Sequence, residues 1–209
     1  MLKQLSRLIV CLILLVPVYP VSGFQPEDLE QLINSKQCSG CNLLKAQLRE
    51  TDLNKADLKR VILSDADLSW SHLNQADMED AVLENTNLSW SQMKATNLKR
   101  VYLKNADLQL ADLEAADLQS AYLVEANLSW CNLREAHLKS ANLSKSTLYK
   151  ANLQEANLER ANFKEANLEN ANLTGANIRH TFFNGAKLSS AIWVNGKLCK
   201  EGSIGRCIQ

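Results

Sequence analysis

Cysteine is the residue type in this chain whose spacing could most directly support chemistry. Cys38 and Cys41 form a Cys-x-x-Cys pair before a long repetitive region, Cys199 and Cys207 follow that region, and Cys131 lies within it. One disulfide at each end would be typical of an oxidising compartment. The alternatives are a four-thiolate zinc site, which needs the two ends to meet, and a redox pair, which needs a strand-helix-strand setting. We favour the disulfides and expect Cys131 to be a buried, unreactive thiol.

Acid–base and nucleophilic catalysis find little support in the sequence. None of the three histidines, His72, His137 and His180, is accompanied by a serine, cysteine or carboxylate in a spacing that nominates a nucleophile and its base. We therefore predict a non-enzymatic protein with no catalytic residue and no cofactor.

Aspartates recur at five-residue spacing, as at Asp52 and Asp57 and again at Asp107, Asp112 and Asp117. Carboxylates in series could bind calcium, but the glycines of a calcium loop are absent, and Lys and Arg are interleaved throughout. We interpret these residues as a solvated face with ion pairs and predict no metal site.

A five-residue repeat in the sequence determines the backbone structure that positions all these residues. A large apolar residue recurs every five positions from Leu43 to Leu188, thirty times without a slip, and a small or β-branched residue precedes it by two positions. The large residue is Leu except at Met78, Met93, Phe163, Ile178 and Phe183, and the small residue is Ala in nineteen repeats. Such a period predicts a repeat architecture.

A backbone that buries both the small residue and the large apolar residue of every repeat must turn once per repeat. On an α-helix successive leucines would lie about 140° apart and could not share one face. On a straight strand an odd repeat length would send alternate leucines to opposite faces. The sequence therefore predicts a coil of short, turn-separated segments with Leu and Ala inside.

Outward features recur at multiples of twenty residues, which indicates four repeats per coil. Leu-Ser-Trp occurs at 68–70, 88–90 and 128–130. Stacking would align Trp70, Trp90, Leu110 and Trp130 in one column and Ile62, Val82, Tyr102 and Tyr122 in another. Contiguous exposed apolar columns are candidate partner surfaces. The alternative is that the rings only shield the coil corners and stack on one another.

The repeat as it stands in residues 151–175, Ala-Asn-Leu-x-x, resembles the pentapeptide repeat family. The resemblance covers residues 41–193 and implies an all-β, right-handed, four-sided β-helix. It also implies an alternative function, because some members of that family mimic DNA and bind DNA gyrase. That role needs a cytoplasmic location and a strongly negative surface.

Residues 1–23 are typical of a secretory signal peptide, with Lys3 and Arg7 before an apolar run and Val21-Ser22-Gly23 at a cleavage site. We expect export to a periplasm or a thylakoid lumen, with no membrane span after cleavage. The chain has 23 basic and 23 acidic residues, and loss of the signal would leave a formal charge of −2. This balance argues against nucleic acid as a partner and against DNA mimicry. We expect an exported scaffold that binds an unidentified protein.

Both ends of the repeats are flanked by sequences that could cap them. Residues 24–40 contain a predicted short helix that starts at Pro26 and carries Leu29, Leu32 and Ile33 on one face. Residues 194–209 follow a hairpin signal at Asn195-Gly196 and contain the second cysteine pair. If both ends are blocked, the protein is a monomer.

Overall fold

The computed structural model describes residues 25–209, and the predicted signal peptide lies outside the described residues. Helix α1 (Pro26–Ser35) is the single helix of this part of the chain. From Gln37 to Ile192 each repeat contributes one residue to an isolated parallel β-bridge, and no continuous strand forms in residues 25–209. The segments stay this short because two of every five residues form a turn.

Every parallel bridge joins residues twenty apart, so one coil contains twenty residues and four repeats. The bridges form four ladders along the molecule. Ladder 1 runs through every twentieth residue from Gln37 to Asn177, ladder 2 from Asn42 to Phe182, ladder 3 from Gln47 to Lys187 and ladder 4 from Asp52 to Ile192. The coil length agrees with the spacing of the Leu-Ser-Trp segments in the sequence.

The interior contains the small residue and the large apolar residue of each repeat. The large apolar residues from Leu43 to Leu173 are all buried, as are nearly all of the small residues that precede them. Thr51, Ile178 and Thr181 are only partly buried, and they lie in the first and last coils. The terminal coils leave these positions incompletely covered because each has a neighbouring coil on one side only.

Each turn is closed by an unusual backbone conformation and a side-chain hydrogen bond. The fifth residue of a repeat has a positive φ, as at Ala95 (52°) and Ala115 (56°). The second residue of many repeats is Asp or Asn, and its side chain accepts a hydrogen bond from the backbone N–H of the fourth residue. For example, the Ser69 N–H donates to Asp67 Oδ1 at 2.9 Å. The recurrent Asp and Asn residues therefore stabilise turns in addition to facing solvent.

Helix α1 lies over the first coil. Leu32 is fully buried and Leu29 packs against the core, whereas Ile33 is 37% exposed, contrary to the expectation that all three face the coil. The Asp28 carboxylate accepts a hydrogen bond from the Asn42 N–H at 2.6 Å. A disulfide joins Cys38 to Cys41 beside this contact.

The C-terminal segment turns back on the last coil. Gly196, with φ of 78°, lies in a turn that brings Leu198 into an antiparallel bridge with Ile192, and Ile204 then pairs with Lys187. A disulfide joins Cys199 to Cys207. The four end cysteines thus form two local disulfides rather than one zinc site.

No helix among the described residues has the length and apolar character needed to cross a bilayer.

Candidate protein-binding surface

The Trp column consists of Trp70, Trp90, Leu110 and Trp130 and lies at the turn between ladders 3 and 4. Each of these residues is the fifth of its repeat and has a φ of 61° or 62°. In this left-handed conformation the side chain points away from the coil, so that Trp70, Trp90 and Trp130 are 43%, 46% and 48% exposed. Leu110 is half-buried between them.

The rings of the Trp column make two different kinds of contact. Trp70 and Trp90 are stacked with centroids 4.7 Å apart and planes inclined by 3°. Trp130 instead contacts the edge of Tyr149, with centroids 6.2 Å apart, and the Lys150 ammonium lies 4.2 Å from the centre of the Trp130 ring. A cation over an indole face is attracted by the ring quadrupole.

Tyr149 and Lys150 are not among the surface residues predicted from the sequence, because that prediction rests on the apolar residues of the column. The signal was present in the sequence, because Lys150 follows Trp130 by the same twenty residues that separate Trp70 from Trp90. The column thus continues from aromatic side chains into a basic one.

The residues beside the column are small and polar. The hydroxyl groups of Ser89 and Ser129 donate hydrogen bonds of 2.7 Å to Asn87 and Asn127, which holds both serines against the coil. The indole rings that follow these serines, Trp90 and Trp130, are 46% and 48% exposed. The column is therefore an apolar ridge bordered by hydrogen-bonding groups.

The Tyr column, formed by Ile62, Val82, Tyr102 and Tyr122, lies on ladder 2. Tyr102 and Tyr122 are stacked with centroids 4.9 Å apart and planes inclined by 2°. The ladder 3 repeats separate it from the Trp column, and no ring pair in residues 25–209 joins the two columns. They are two separate surfaces.

The remaining surface carries charges of both signs in pairs. Lys59 lies 3.0 Å from Asp77 and Lys99 lies 3.1 Å from Asp117, both along ladder 1. The hydrogen bond from Arg100 lowers the pKa of Asp80 below its ordinary value. This interleaving agrees with the predicted ion-paired face.

The histidines do not converge on a site. His72 is half-buried, and His137 and His180 are exposed on separate coils. No group of His, Cys, Asp or Glu in residues 25–209 has the geometry of a metal site.

The stacked coils, single core column and periodic surface define a β-solenoid repeat protein. The family model described as pentapeptide repeats matches the chain in eight copies, with matches over residues 37–69, 62–100, 96–134, 121–159 and 151–189. The chain belongs to the pentapeptide repeat family, which confirms the resemblance found in the sequence.

Solved structures of other family members are similar to this chain. QnrB1, a plasmid-mediated fluoroquinolone resistance protein, is 16% identical, with coverage of 73% of this chain and 82% of QnrB1 and a TM-score of 0.57. HetL, involved in heterocyst differentiation regulation in the cyanobacterium Nostoc sp. strain PCC 7120, is 26% identical, with coverage of 84% and 99% and a TM-score of 0.35. A pentapeptide repeat protein from the Arabidopsis thaliana thylakoid lumen is 24% identical, with coverage of 59% and 68% and a TM-score of 0.30. The comparison with curated proteins finds no match.

Proposed function

We propose that this protein is a non-enzymatic, exported scaffold that binds another protein through the Trp column. The observation that carries the proposal is the row of three indole rings that are each more than two-fifths exposed on one edge of the coil. Aromatic side chains are enriched where proteins bind one another, because they bury a large area with little loss of conformational freedom.

The backbone offers no reason for tryptophan at these positions. The left-handed conformation is most easily adopted by Gly, Asn and Asp, and other repeats of this chain place Asp65, Asn85 and Gly175 there. A Trp at such a position is therefore best explained by what its ring contacts. Stacking accounts for one face of Trp70 and Trp90 and leaves their edges free to contact a partner.

Export to a periplasm or a thylakoid lumen fits the two local disulfides, which persist in oxidising compartments. The DNA-mimic alternative has less support, because lysines pair with the Asp77 and Asp117 carboxylates on ladder 1. The likeness to QnrB1 is one of fold.

The experiment is affinity capture from the exported fraction of the native cell, with Trp90→Asn/Trp130→Asn as the test variant. Asn tolerates the left-handed conformation, so we expect melting within a few degrees of the parent and loss of the captured partner. The matched control is Tyr102→Asn/Tyr122→Asn, which removes two rings from the other column and should retain capture. Equal capture by the parent and the Trp variant would contradict the proposal.

A further inference from the structure

The charge of the chain is divided unequally along the solenoid. Residues 24–178 contain 16 basic and 22 acidic side chains, a formal charge of −6, whereas residues 179–209 contain five basic and one acidic, a formal charge of +4. We call residues 179–209, which include the end of the last coil and the segment that turns back on it, the C-terminal tip. Its basic residues are all exposed, and they are Arg179, Lys187, Lys197, Lys200 and Arg206. An asymmetry of this kind indicates that the basic part meets an anionic partner.

The basic side chains of the C-terminal tip are not neutralised by carboxylates of the described chain. Every ion pair in residues 25–209 lies between Lys36 and Glu165. Glu201, the single acidic side chain of the tip, takes part in none of these pairs. Lys200 donates a hydrogen bond of 2.7 Å to the Gln209 carbonyl, which leaves its charge in place. The tip is therefore a net positive surface.

The C-terminal tip also exposes large apolar side chains. It contains four of the nine such side chains in residues 25–209, namely Phe182 (56% exposed), Leu198 (63%), Ile204 (63%) and Ile208 (43%). Leu198 and Ile204 are the most exposed of the nine, and both lie beyond the last coil, where they bridge Ile192 and Lys187. No ring pair in the described chain includes Phe182, in contrast to the stacked Trp70 and Trp90. These apolar groups project separately from the end of the solenoid.

This combination of side chains favours a lipid surface over a protein as the partner. Lysine is depleted at protein–protein interfaces, yet three of the five basic residues of the tip are lysines. Surfaces that lie on membranes combine apolar side chains, which enter the acyl boundary, with Lys and Arg, which remain among anionic headgroups. The tip alternates the two kinds, because Lys197 precedes Leu198, and Ile204 and Ile208 lie on either side of Arg206. A fluid bilayer also accepts separately projecting side chains without a matching shape.

We propose that the C-terminal tip binds the surface of an anionic lipid bilayer, as a peripheral contact that spans no membrane. The negative body of the solenoid is repelled by the same surface, so the solenoid stands on its tip. Trp130 and Trp70 precede the last coil by three and six coils, which places them about 14 and about 29 Å from it. The proposal does not rest on the Trp column, but it keeps that column away from the bilayer and accessible to a protein partner.

The experiment is co-sedimentation with lipid vesicles of the protein purified from the exported fraction with both disulfides formed. We expect binding to vesicles of phosphatidylglycerol in phosphatidylcholine, and none to phosphatidylcholine alone. Binding should weaken as the salt concentration rises from about 0.05 to about 0.5 M, because salt screens the headgroup charges. Lys187→Gln/Lys197→Gln should weaken it about tenfold. The matched control, Lys45→Gln/Lys55→Gln, removes the same charge from the first coil and should change binding less than about twofold.

The apolar contribution is tested separately. Leu198→Asn/Ile204→Asn should weaken binding to the anionic vesicles about tenfold while melting stays close to that of the parent, because both side chains are exposed. Trp90→Asn/Trp130→Asn should retain vesicle binding even though it loses the captured protein. Failure of this proposal is thereby distinguished from failure of the proposed function.

Hydrogen exchange on the vesicles locates the contact. We expect slower exchange in residues 196–206 and unchanged exchange in the coils around Trp90. Absence of binding to the anionic vesicles would overturn the proposal and leave the C-terminal tip to an acidic protein surface. Equal binding by the parent and both tip variants, or protection along the Trp column instead of the tip, would overturn it as well.

Discussion

Cys131 shows how little room a single inward position leaves for chemistry. It stands where most repeats have Ala, it is fully buried, and its thiol donates a hydrogen bond of 3.1 Å to the Ala111 carbonyl. Burial, with a smaller contribution from Asp112, raises the pKa of this thiol well above its ordinary value. A thiol held in this form is a poor nucleophile, which agrees with a packing role.

The raised pKa predicts a pH dependence of stability. In the unfolded chain the Cys131 thiol loses its proton from about pH 9, whereas in the folded protein it keeps the proton. The unfolded state then binds fewer protons, so the free energy of unfolding falls as pH rises above about 9, by up to about 1.4 kcal/mol per pH unit. Below that pH this contribution is fully present.

Urea unfolding between pH 8 and pH 10.5 measures the effect, with Cys131→Ala as the reference that lacks the thiol. The difference in unfolding free energy between the parent and this variant should shrink as the pH rises. Parallel curves for the two proteins would show that the thiol is not protected by folding.

At the scale of the element, each repeat combines an inward-facing segment, which restricts side-chain size, with a turn, which restricts backbone conformation. Its inward pair must be small and large, as at Ala116 and Leu118, and both are fully buried. Its turn must place a residue in the left-handed region, and twenty-eight such positions between Lys45 and Ser190 are occupied by residues other than Gly. This conformation costs an L-residue roughly 1–2 kcal/mol, which coil stacking must offset.

Replacing alanine by glycine should therefore have opposite effects at the two kinds of position. Ala95→Gly relieves the left-handed strain and should stabilise the protein by up to about 1 kcal/mol, even after the entropy that glycine adds to the unfolded chain. Ala116→Gly, at an inward position, removes a packed methyl group and should destabilise it by about 1 kcal/mol. Melting curves of the two variants, each with one methyl group removed, test this. A fall in melting temperature for Ala95→Gly would contradict the assignment of strain.

The repetitive part of the molecule could be predicted from the sequence because the spacing of its residues determines how the backbone coils. The five-residue spacing of Leu113 and Leu118 already determines which side chains face inward, and the twenty-residue spacing of Trp70 and Trp90 gives the coil length. The turn role of Asp67 could not be separated from solvation, because both need the same polar side chain.

The structure of the two ends could not be predicted to the same degree, because their sequences do not repeat. The sequence indicated a helix from Pro26 and a turn at Gly196, and the structure has both. Which ladders the C-terminal segment covers depends on where the chain leaves the last coil after Ile192. The exposure of Ile33 likewise depends on how α1 is tilted against the first coil.

At the scale of the whole molecule, each coil bonds only to the coils above and below it. Every parallel bridge spans twenty residues, so no bridge connects distant parts of the chain. Stability in such a molecule is a sum of local and nearest-neighbour contributions. The terminal coils, with one neighbour each, should therefore open before the middle ones.

The disulfides should control this opening separately at each end. Cys199→Ala/Cys207→Ala removes a cross-link that closes a short loop, worth about 2–3 kcal/mol. We expect faster hydrogen exchange in residues 183–205 and unchanged protection in the coils around Cys131. The matched variant, Cys38→Ala/Cys41→Ala, should produce the same pattern at the N-terminal end. Equal loss of protection in every coil would show that the molecule unfolds as one cooperative unit.

The twenty-residue coil also constrains how such a chain can change in length. Inserting or deleting one pentapeptide keeps every leucine inward, but it shifts all later outward residues by one ladder, so that Trp130 would no longer continue the line of Trp70 and Trp90. Adding or removing four pentapeptides preserves that line. Evolution of the core can thus proceed in steps of five residues, whereas evolution that retains a surface ridge must proceed in steps of twenty.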